Sequence, residues 1–417
     1  MSSAIAALIG LVLAIVLIIK KLSPVYSLMI GALVGGLLSG WGLGGTINLM
    51  LSGVNDITPA VLRILAAGVL SGVLIKTGAA TSISQSIIKL LGRRHVYLAV
   101  AFSTMLLTGV GVFIDVAVIT VAPIALMLSN KLSLPKASLL LAMVGGGKCG
   151  NIISPNPNTI IAAQNYDAPL SSVMATGIIP AILGLLITVY LIVPLMPAKD
   201  AGHQMTEEAS DDSLPSFLAS MTGPFVAVVL LALRPLCGIS IDPVIALPAG
   251  GVVSILATRS WKKSSECLSY GLEKMSAVAI LLIGTGTLAG VIKASEIKDV
   301  LIAMLSGWES GGVIMAPLSS ILMSAATAST TAGATIASAS FAQTVLGAGV
   351  AAVWGASMTN AGATVLDHLP HGSFFHATGG SVGMQIKERM RLIPFESLIG
   401  LLLTLFSVGL YYISALF

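Results

Sequence analysis

Five ionisable side chains other than lysine and arginine fall inside apolar sequence: Asp115, Asp367, His368, His371 and His376. Charged groups at membrane depth are costly and face a wet cavity or a partner. A desolvated carboxyl titrates closer to neutral pH than a solvated one, so it can exchange a proton under physiological conditions. Asp115, Asp367 and His368 are therefore the candidates for carrying a coupling proton. Asp115 stands in Thr108-Gly-Val-Gly-Val-Phe-Ile-Asp115-Val, just past a glycine turn, with no basic residue within a helical turn of it. Its competing role is a helix cap satisfied by backbone donors. His376 has a competing place at the water interface just before Lys387.

A second constellation is neutral. Residues 148–159 read Lys-Cys-Gly-Asn-Ile-Ile-Ser-Pro-Asn-Pro-Asn-Thr within a stretch otherwise apolar enough to cross a bilayer. Pro155 and Pro157 remove backbone donors, and irregular backbone at that depth survives only inside protein or beside a water-filled cavity. The segment thus points to a binding site, with Lys148, Asn151, Ser154, Asn156, Asn158 and Thr159 as ligand contacts. Lys148, the one Lys or Arg placed deep, would either meet an anion or neutralise Asp115 or Asp367. Ser329, Thr330 and Thr331 in Ala326-Thr-Ala-Ser-Thr-Thr-Ala-Gly333 offer hydroxyls at another turn, and His368 and His371 complete the set. Small polar residues of this kind also serve plain helix packing.

These residues need elements that hold them in a membrane. The chain of 417 residues is 56% hydrophobic and 9% charged, against about 25% charged in a soluble domain. Its mean hydropathy is +0.99. Runs long enough to cross are Ala4–Ile19, Val25–Gly40, Ala60–Ile75, Gly177–Pro194, Phe217–Leu236, Val244–Ala257, Ser276–Ile292 and Leu392–Ile413. The net charge of +4 reflects loop asymmetry and not a nucleic-acid footprint. Cys149, Cys237 and Cys267 have neither disulfide nor metal-ligand spacing, so no metal and no cofactor are expected. There is no His-Glu-x-x-His and no Gly-x-Ser-x-Gly, which argues against an enzyme.

The expected fold is an all-α polytopic membrane protein, an inverted-repeat transporter with two re-entrant hairpins and two broken helices. Residues 1–195 form the first repeat, with a hairpin over about 96–128 and a broken helix over about 137–165. An acidic cytoplasmic linker spans 196–215. Residues 216–417 form the second repeat, with a hairpin over about 311–345 and a broken helix over about 351–384. Ser71-Gly-Val-Leu-Ile-Lys76 and Leu288-Ala-Gly-Val-Ile-Lys293 end matching helices, and Gly150–Asn158 aligns with Gly362–Pro370. Placing Lys20 and Lys21 in the cytoplasm puts most basic loops there and both chain ends outside. The two Lys-ended helices then run in opposite directions.

Four central segments resemble the gluconate permease family of proton symporters, within the ion-transporter superfamily. Phe113-Ile-Asp115-Val-Ala is similar to that family's Phe-Phe-Glu-Val-Gly, and Ser154-Pro-Asn-Pro-Asn-Thr159 to its Pro-Pro-His-Pro-Gly-Pro. Ala328-Ser-Thr-Thr-Ala-Gly-Ala-Thr-Ile336 is similar to Gly-Ser-Ala-Thr-Val-Ala. Asp367-His-Leu-Pro-His-Gly-Ser-Phe374 is similar to Ser-His-Val-Asn-Asp-Ser-Gly-Phe; it keeps His368 and Phe374 but places His371 at the aspartate. The resemblance implies proton-coupled symport of a gluconate-like sugar acid or hydroxy acid, an elevator-type movement and a homodimer. The setting would be the cytoplasmic (inner) membrane, with lipid around it. The alternative is a sodium-coupled carboxylate transporter of the same architecture. Superfamily members of that kind resemble one another in Ser-Asn-Thr at both hairpin tips, and Thr108-Gly-Val-Gly-Val112 lacks that triplet.

Overall fold

The computed structural model describes residues 2–92, 95–196, 214–237, 239, 241–296, 300, 310–370 and 372–414. Most of the acidic linker (197–213) and His371 lie outside the described residues. The first half runs α1 (Ser3–Ile19), α2 (Pro24–Leu38), α3 (Gly42–Lys76), α4 (Ala79–Leu91), α5 (Val96–Gly109) and α6 (Ile114–Leu132). It continues through α7 (Lys136–Asn151), α8 (Pro157–Asn165), α9 (Leu170–Thr176) and α10 (Ile178–Ile187). The second half runs α11 (Phe217–Cys237), α12 (Pro243–Ala257), α13 (Ser264–Ala294), α14 (Gly311–Thr327) and α15 (Thr330–Gly347). It ends with α16 (Ala352–Gly362), α17 (Ser373–Ser381), α18 (Ile386–Met390) and α19 (Ile393–Ser414).

Among the described residues, four apolar helical stretches are long enough to cross a membrane: Gly42–Lys76, Leu170–Leu195, Trp261–Ala294 and Ile386–Ser414. The pairs α5–α6 and α14–α15 are the re-entrant hairpins. At a rise of about 1.5 Å per residue, α5 reaches about 21 Å, short of a hydrocarbon core about 30 Å thick. The pairs α7–α8 and α16–α17 are the broken helices, interrupted over residues 152–156 and 363–372.

The spine is the antiparallel pair α3 and α13. A Cβ at Gly53 would overlap the Gly286 carbonyl, and one at Gly72 would overlap that of Cys267, so the two backbones touch. Lys76 ends α3 and pairs with Glu266 near the start of α13 at 2.9 Å, while Lys293 near the end of α13 pairs with Asp56 of α3 at 2.8 Å. The two Lys-ended helices are thus stapled to each other at two levels, the end of α3 and the end of α13. Both are longer than their apolar runs, because the polar first turns that include Asn48, Asn55 and Asp56, or Glu266 and Lys274, are helical too.

Pairing elsewhere repeats. Helix α2 packs on α13 and α12 on α3; α5 packs on α7 and α14 on α16; α10 packs on α7 and α19 on α16. The aligned glycines show the same symmetry in detail. A Cβ at Gly150 would strike the Met105 carbonyl of α5, and one at Gly362 would lie 2.6 Å from the Pro317 carbonyl of α14. The hairpins break the symmetry. Helices α14 and α15 lean on α1 and α13, whereas α6 packs on α7 and α17.

Candidate functional site

The second break is organised by charge. Lys148 comes from the last turn of α7 and is fully buried. Its Nζ donates to the Thr364 carbonyl and to Asp367 Oδ1 (2.6 Å), and meets His368 Nδ1 at 3.0 Å. Asp367 is 2% exposed, and its Oδ2 accepts from Thr330 Oγ1 at 2.6 Å, linking the break to the tip of the second hairpin. Of the two carboxylates open to Lys148 in the sequence, the structure pairs it with Asp367. His368 Nε2 lies 3.1 Å from the Ile393 carbonyl and 3.2 Å from Ser397 Oγ. A carbonyl only accepts, so in that contact Nε2 carries the proton, while Nδ1 lies 3.0 Å from both Lys148 Nζ and Asp367 Oδ1.

Two further charges lie behind the imidazole, and both escaped the sequence reading. Glu396 Oε2 is 3.9 Å from His368 Nδ1, and Arg389 grips Glu396 with bonds of 2.5 and 3.0 Å. Both side chains are fully buried. The guanidinium also donates to Thr378 Oγ1 (3.2 Å) and sits 5.0 Å from the Phe375 ring. Arg389 lies in the basic stretch Lys387-Glu-Arg-Met-Arg391, yet its side chain turns into the protein. Lys148 is therefore not the one deep cation.

The first break is organised by amides. Asn156 caps α8: its Oδ1 accepts from the Thr159 amide (3.1 Å) and from Thr159 Oγ1 (3.0 Å), and its Nδ2 donates to Asn151. Asn158 Nδ2 donates to Asn360 Oδ1 at 2.7 Å, and Asn360 Nδ2 donates to Thr159 Oγ1 at 3.0 Å. Asn360 was not singled out in the sequence, although it precedes Gly362 as Lys148 precedes Gly150. Among the described residues Ser154 Oγ is the buried polar atom of this break without a partner.

A cavity of about 650 Å³ brings together the two hairpin tips and the second break. Its wall includes Asp115, Ser329, Thr330, Thr331 and Asp367, with Lys274 of α13 across from them. Asp115 is half-buried in the first turn of α6, and its Oδ1 accepts from the Val116 amide at 2.9 Å. Ser329 caps α15 by accepting from the Ala332 amide (3.3 Å), so the positive end of that helix faces the cavity. The preceding Ala328 sits at φ +46°, a left-handed turn that aims the hydroxyls inward. Asn151, Ser154, Asn156, Asn158 and Thr159 are not on this wall; all are buried, with Asn156 bonded to Asn151 and Asn158 to Asn360. Lys148 and His368 stand one layer behind it, through Asp367. His376 is exposed, with Nε2 2.8 Å from the Pro370 carbonyl. No group of three His, Cys, Asp or Glu side chains among the described residues could hold a metal.

On the opposite side, Arg63 of α3 forms a 2.8 Å ion pair with Asp242, the cap of α12, and donates to Gln164 of α8. These three side chains tie the α3–α12 frame to the first broken helix.

Comparison with known proteins points one way. Residues 3–256 match the family model described as GntP family permease, and residues 219–308 match one described as Na+-H+ antiporter family. An uncharacterized transporter of Haemophilus influenzae is 53% identical over 413 residues, covering 98% of each chain. A high-affinity gluconate transporter of Escherichia coli is 23% identical, covering 95% of this chain and 96% of its own. The D-serine transporter DsdX of the same species is 22% identical over 78% of this chain and 79% of its own. In fold, the chain is similar to the crystal structure of the Alcanivorax borkumensis YdaH transporter. The TM-score is 0.61 at 15% identity, covering 88% and 89% of the two chains.

Proposed function

The chain belongs to the GntP permease family, and from that premise we propose that it is a proton-coupled symporter of a small organic acid, a gluconate-like sugar acid or hydroxy acid. It is an integral membrane transporter; the cytoplasmic membrane as its site and a homodimer as its form are part of the proposal. The observation that carries the reading is the cavity where both hairpin tips meet the second break. Hydroxyls of Ser329, Thr330 and Thr331 and the α15 N-terminus offer donors to a carboxylate there. The titratable groups Asp115 and Asp367, with His368 behind, adjoin the same space.

Coupling follows if substrate and proton must be present together for the hairpin unit to move. Thr330 touches substrate on one side and Asp367 on the other, so a change in either is felt by its neighbour. The cavity shares a wall with Ser23, Pro24 and Val25, beside Lys20 and Lys21, so by the charge rule it opens toward the cytoplasm. The unequal seating of the two hairpins supports an elevator-type movement. An inverted repeat has a second arrangement in which the halves exchange roles, with the first hairpin against the frame and the second released.

The test is uptake of labelled gluconate, glycerate and lactate into liposomes under separate pH and sodium gradients. Accumulation driven by an inward proton gradient is expected for at least one of them. Uptake that follows sodium and ignores pH would overturn proton coupling in favour of a sodium-coupled carboxylate transporter.

A further inference from the structure

We propose that Lys148 occupies the seat of a monovalent metal cation, so that the transporter carries there a side-chain ammonium, and that removing the ammonium turns the seat into a sodium site. The inference rests on the proton-coupled reading above and goes one step deeper into the same site.

The groups around Lys148 Nζ are the Thr364 carbonyl, Asp367 Oδ1 at 2.6 Å and His368 Nδ1 at 3.0 Å, the last also 3.0 Å from the same Oδ1. The carbonyl lies just past the C-terminal end of α16, where orphan carbonyls and the helix dipole favour a cation. A backbone carbonyl at an unwound helix with a carboxylate beside it is the chemistry that binds sodium in transporters built on broken helices. The ammonium is fully buried in the seat and donates to the Thr364 carbonyl and to Asp367 Oδ1.

The opposite half shows that the fold itself does not require a charge at this place. Aligning Gly150 with Gly362 sets Lys148 over Asn360 and Thr364 over Ile152. Asn360 Nδ2 reaches the Ile152 carbonyl at 3.5 Å, so each residue crosses to the same carbonyl of the other repeat. A neutral amide performs the crossing in one half and a cation in the other. The difference is the partner. Lys148 meets Asp367, whereas Asn360 meets Asn158 and Thr159. The positive charge at 148 therefore answers the negative charge at 367, and a carboxylate 2% exposed cannot stay ionised without a counter-charge. Thr330 already holds its other oxygen, so the vacancy left by the ammonium faces Oδ1 and the Thr364 carbonyl.

The experiment compares thermal unfolding of the purified full chain in sodium chloride and in choline chloride at equal ionic strength. Wild type is expected to unfold at the same temperature in both. K148A is expected to unfold earlier in choline and to be raised by several degrees as sodium is titrated, with saturation. K148A/D367N, which lacks the carboxylate, should not respond to sodium. Should K148A fail to accumulate, K148Q keeps most of the volume and adds an amide oxygen; it too should respond to sodium and not to choline. Variants indifferent to sodium would overturn the proposal, as would a wild type that sodium stabilises while Lys148 is in place. Liposome uptake separates the two readings. Sodium-driven uptake by wild type ends the proton assignment, whereas proton-driven wild-type uptake with a sodium-blind K148A ends only this inference.

Discussion

Asn360 of α16 crosses to the first break as Lys148 of α7 crosses to the second, each reaching the carbonyl that ends the other repeat's half-helix. The two breaks are therefore not independent loops. Each is anchored by a side chain from the opposite repeat, and the pair of anchors makes the four half-helices one unit. Removing the neutral anchor tests this without disturbing charge. N360A leaves Asn158 and Thr159 with buried, unmatched groups, which costs about 1–3 kcal/mol. The midpoint of thermal unfolding should fall, while the wild-type indifference to sodium persists. An unchanged midpoint would mean that water replaces the amide and the anchor carries no weight.

Thr330 is the contact between cavity and charge network. T330V keeps the shape and removes the 2.6 Å bond to Asp367. Hydrogen bonds to charged groups contribute about 1.5–3 kcal/mol, so uptake should weaken roughly tenfold or more. T330S should recover most of it. If valine transports as well as threonine, the hydroxyl is not part of coupling.

Arg389 and Glu396 are both fully buried, so breaking the pair from one side strands a charge. R389M or E396L alone should destabilise by about 3–5 kcal/mol, and the double substitution by clearly less than their sum, because no unpaired charge remains. The same cycle read through uptake reports whether the pair positions His368. A stable double variant that has lost its response to pH would assign it that role; a stable and fully active one would make the pair purely structural.

Cys149 follows Lys148 in the last turn of α7. Its thiol is fully buried and faces Gly184 of α10, away from the cavity. Thiol reagents should leave it unmodified in this arrangement, while T331C on the cavity wall should react and be protected by substrate. Rapid labelling of Cys149 with T331C untouched would place the aqueous path on the other face of α7.

Broken helices and hairpins were legible because prolines, glycines and polar side chains cannot sit in lipid as ordinary helix, a local rule that needs no partner. Side-chain direction was not. Nothing in Ser154-Pro-Asn-Pro-Asn158 says that the amides turn toward Asn360 instead of a ligand. Equally, nothing in Lys387-Glu-Arg389-Met-Arg391 says which cation turns inward toward Glu396. One signal was present and unused. The alignment of Gly150 with Gly362 already paired Lys148 with Asn360, so the neutral anchor could have been found from the charged one. The polar starts of α3 and α13 hid those helices from an apolar-run reading. Their polar side chains pair across the spine, as Asp56 does with Lys293.

The contact between Arg63 and Gln164 joins the frame to the first broken helix on the side away from the cavity, and it must break if that helix moves. Its strength can be raised by design. Q164E replaces a neutral acceptor with a carboxylate, so a bond from the guanidinium to an amide oxygen becomes an ion pair. The maximal rate of uptake should fall with little change in apparent substrate affinity, because the cavity is untouched; Q164A should change the rate far less. Asp242 keeps Arg63 aimed at this contact. Burial pushes the Asp242 carboxyl up, but Arg63 and the Val244 amide outweigh it and hold the group below its ordinary value of 3.8. A depressed carboxyl contributes above that value and loses its contribution only as pH falls through the lower folded value. The slowing by Q164E should therefore be constant over roughly pH 5–8, where both Asp242 and the introduced carboxylate are charged. A rate that Q164E leaves unchanged across that range would show that the contact does not resist the movement.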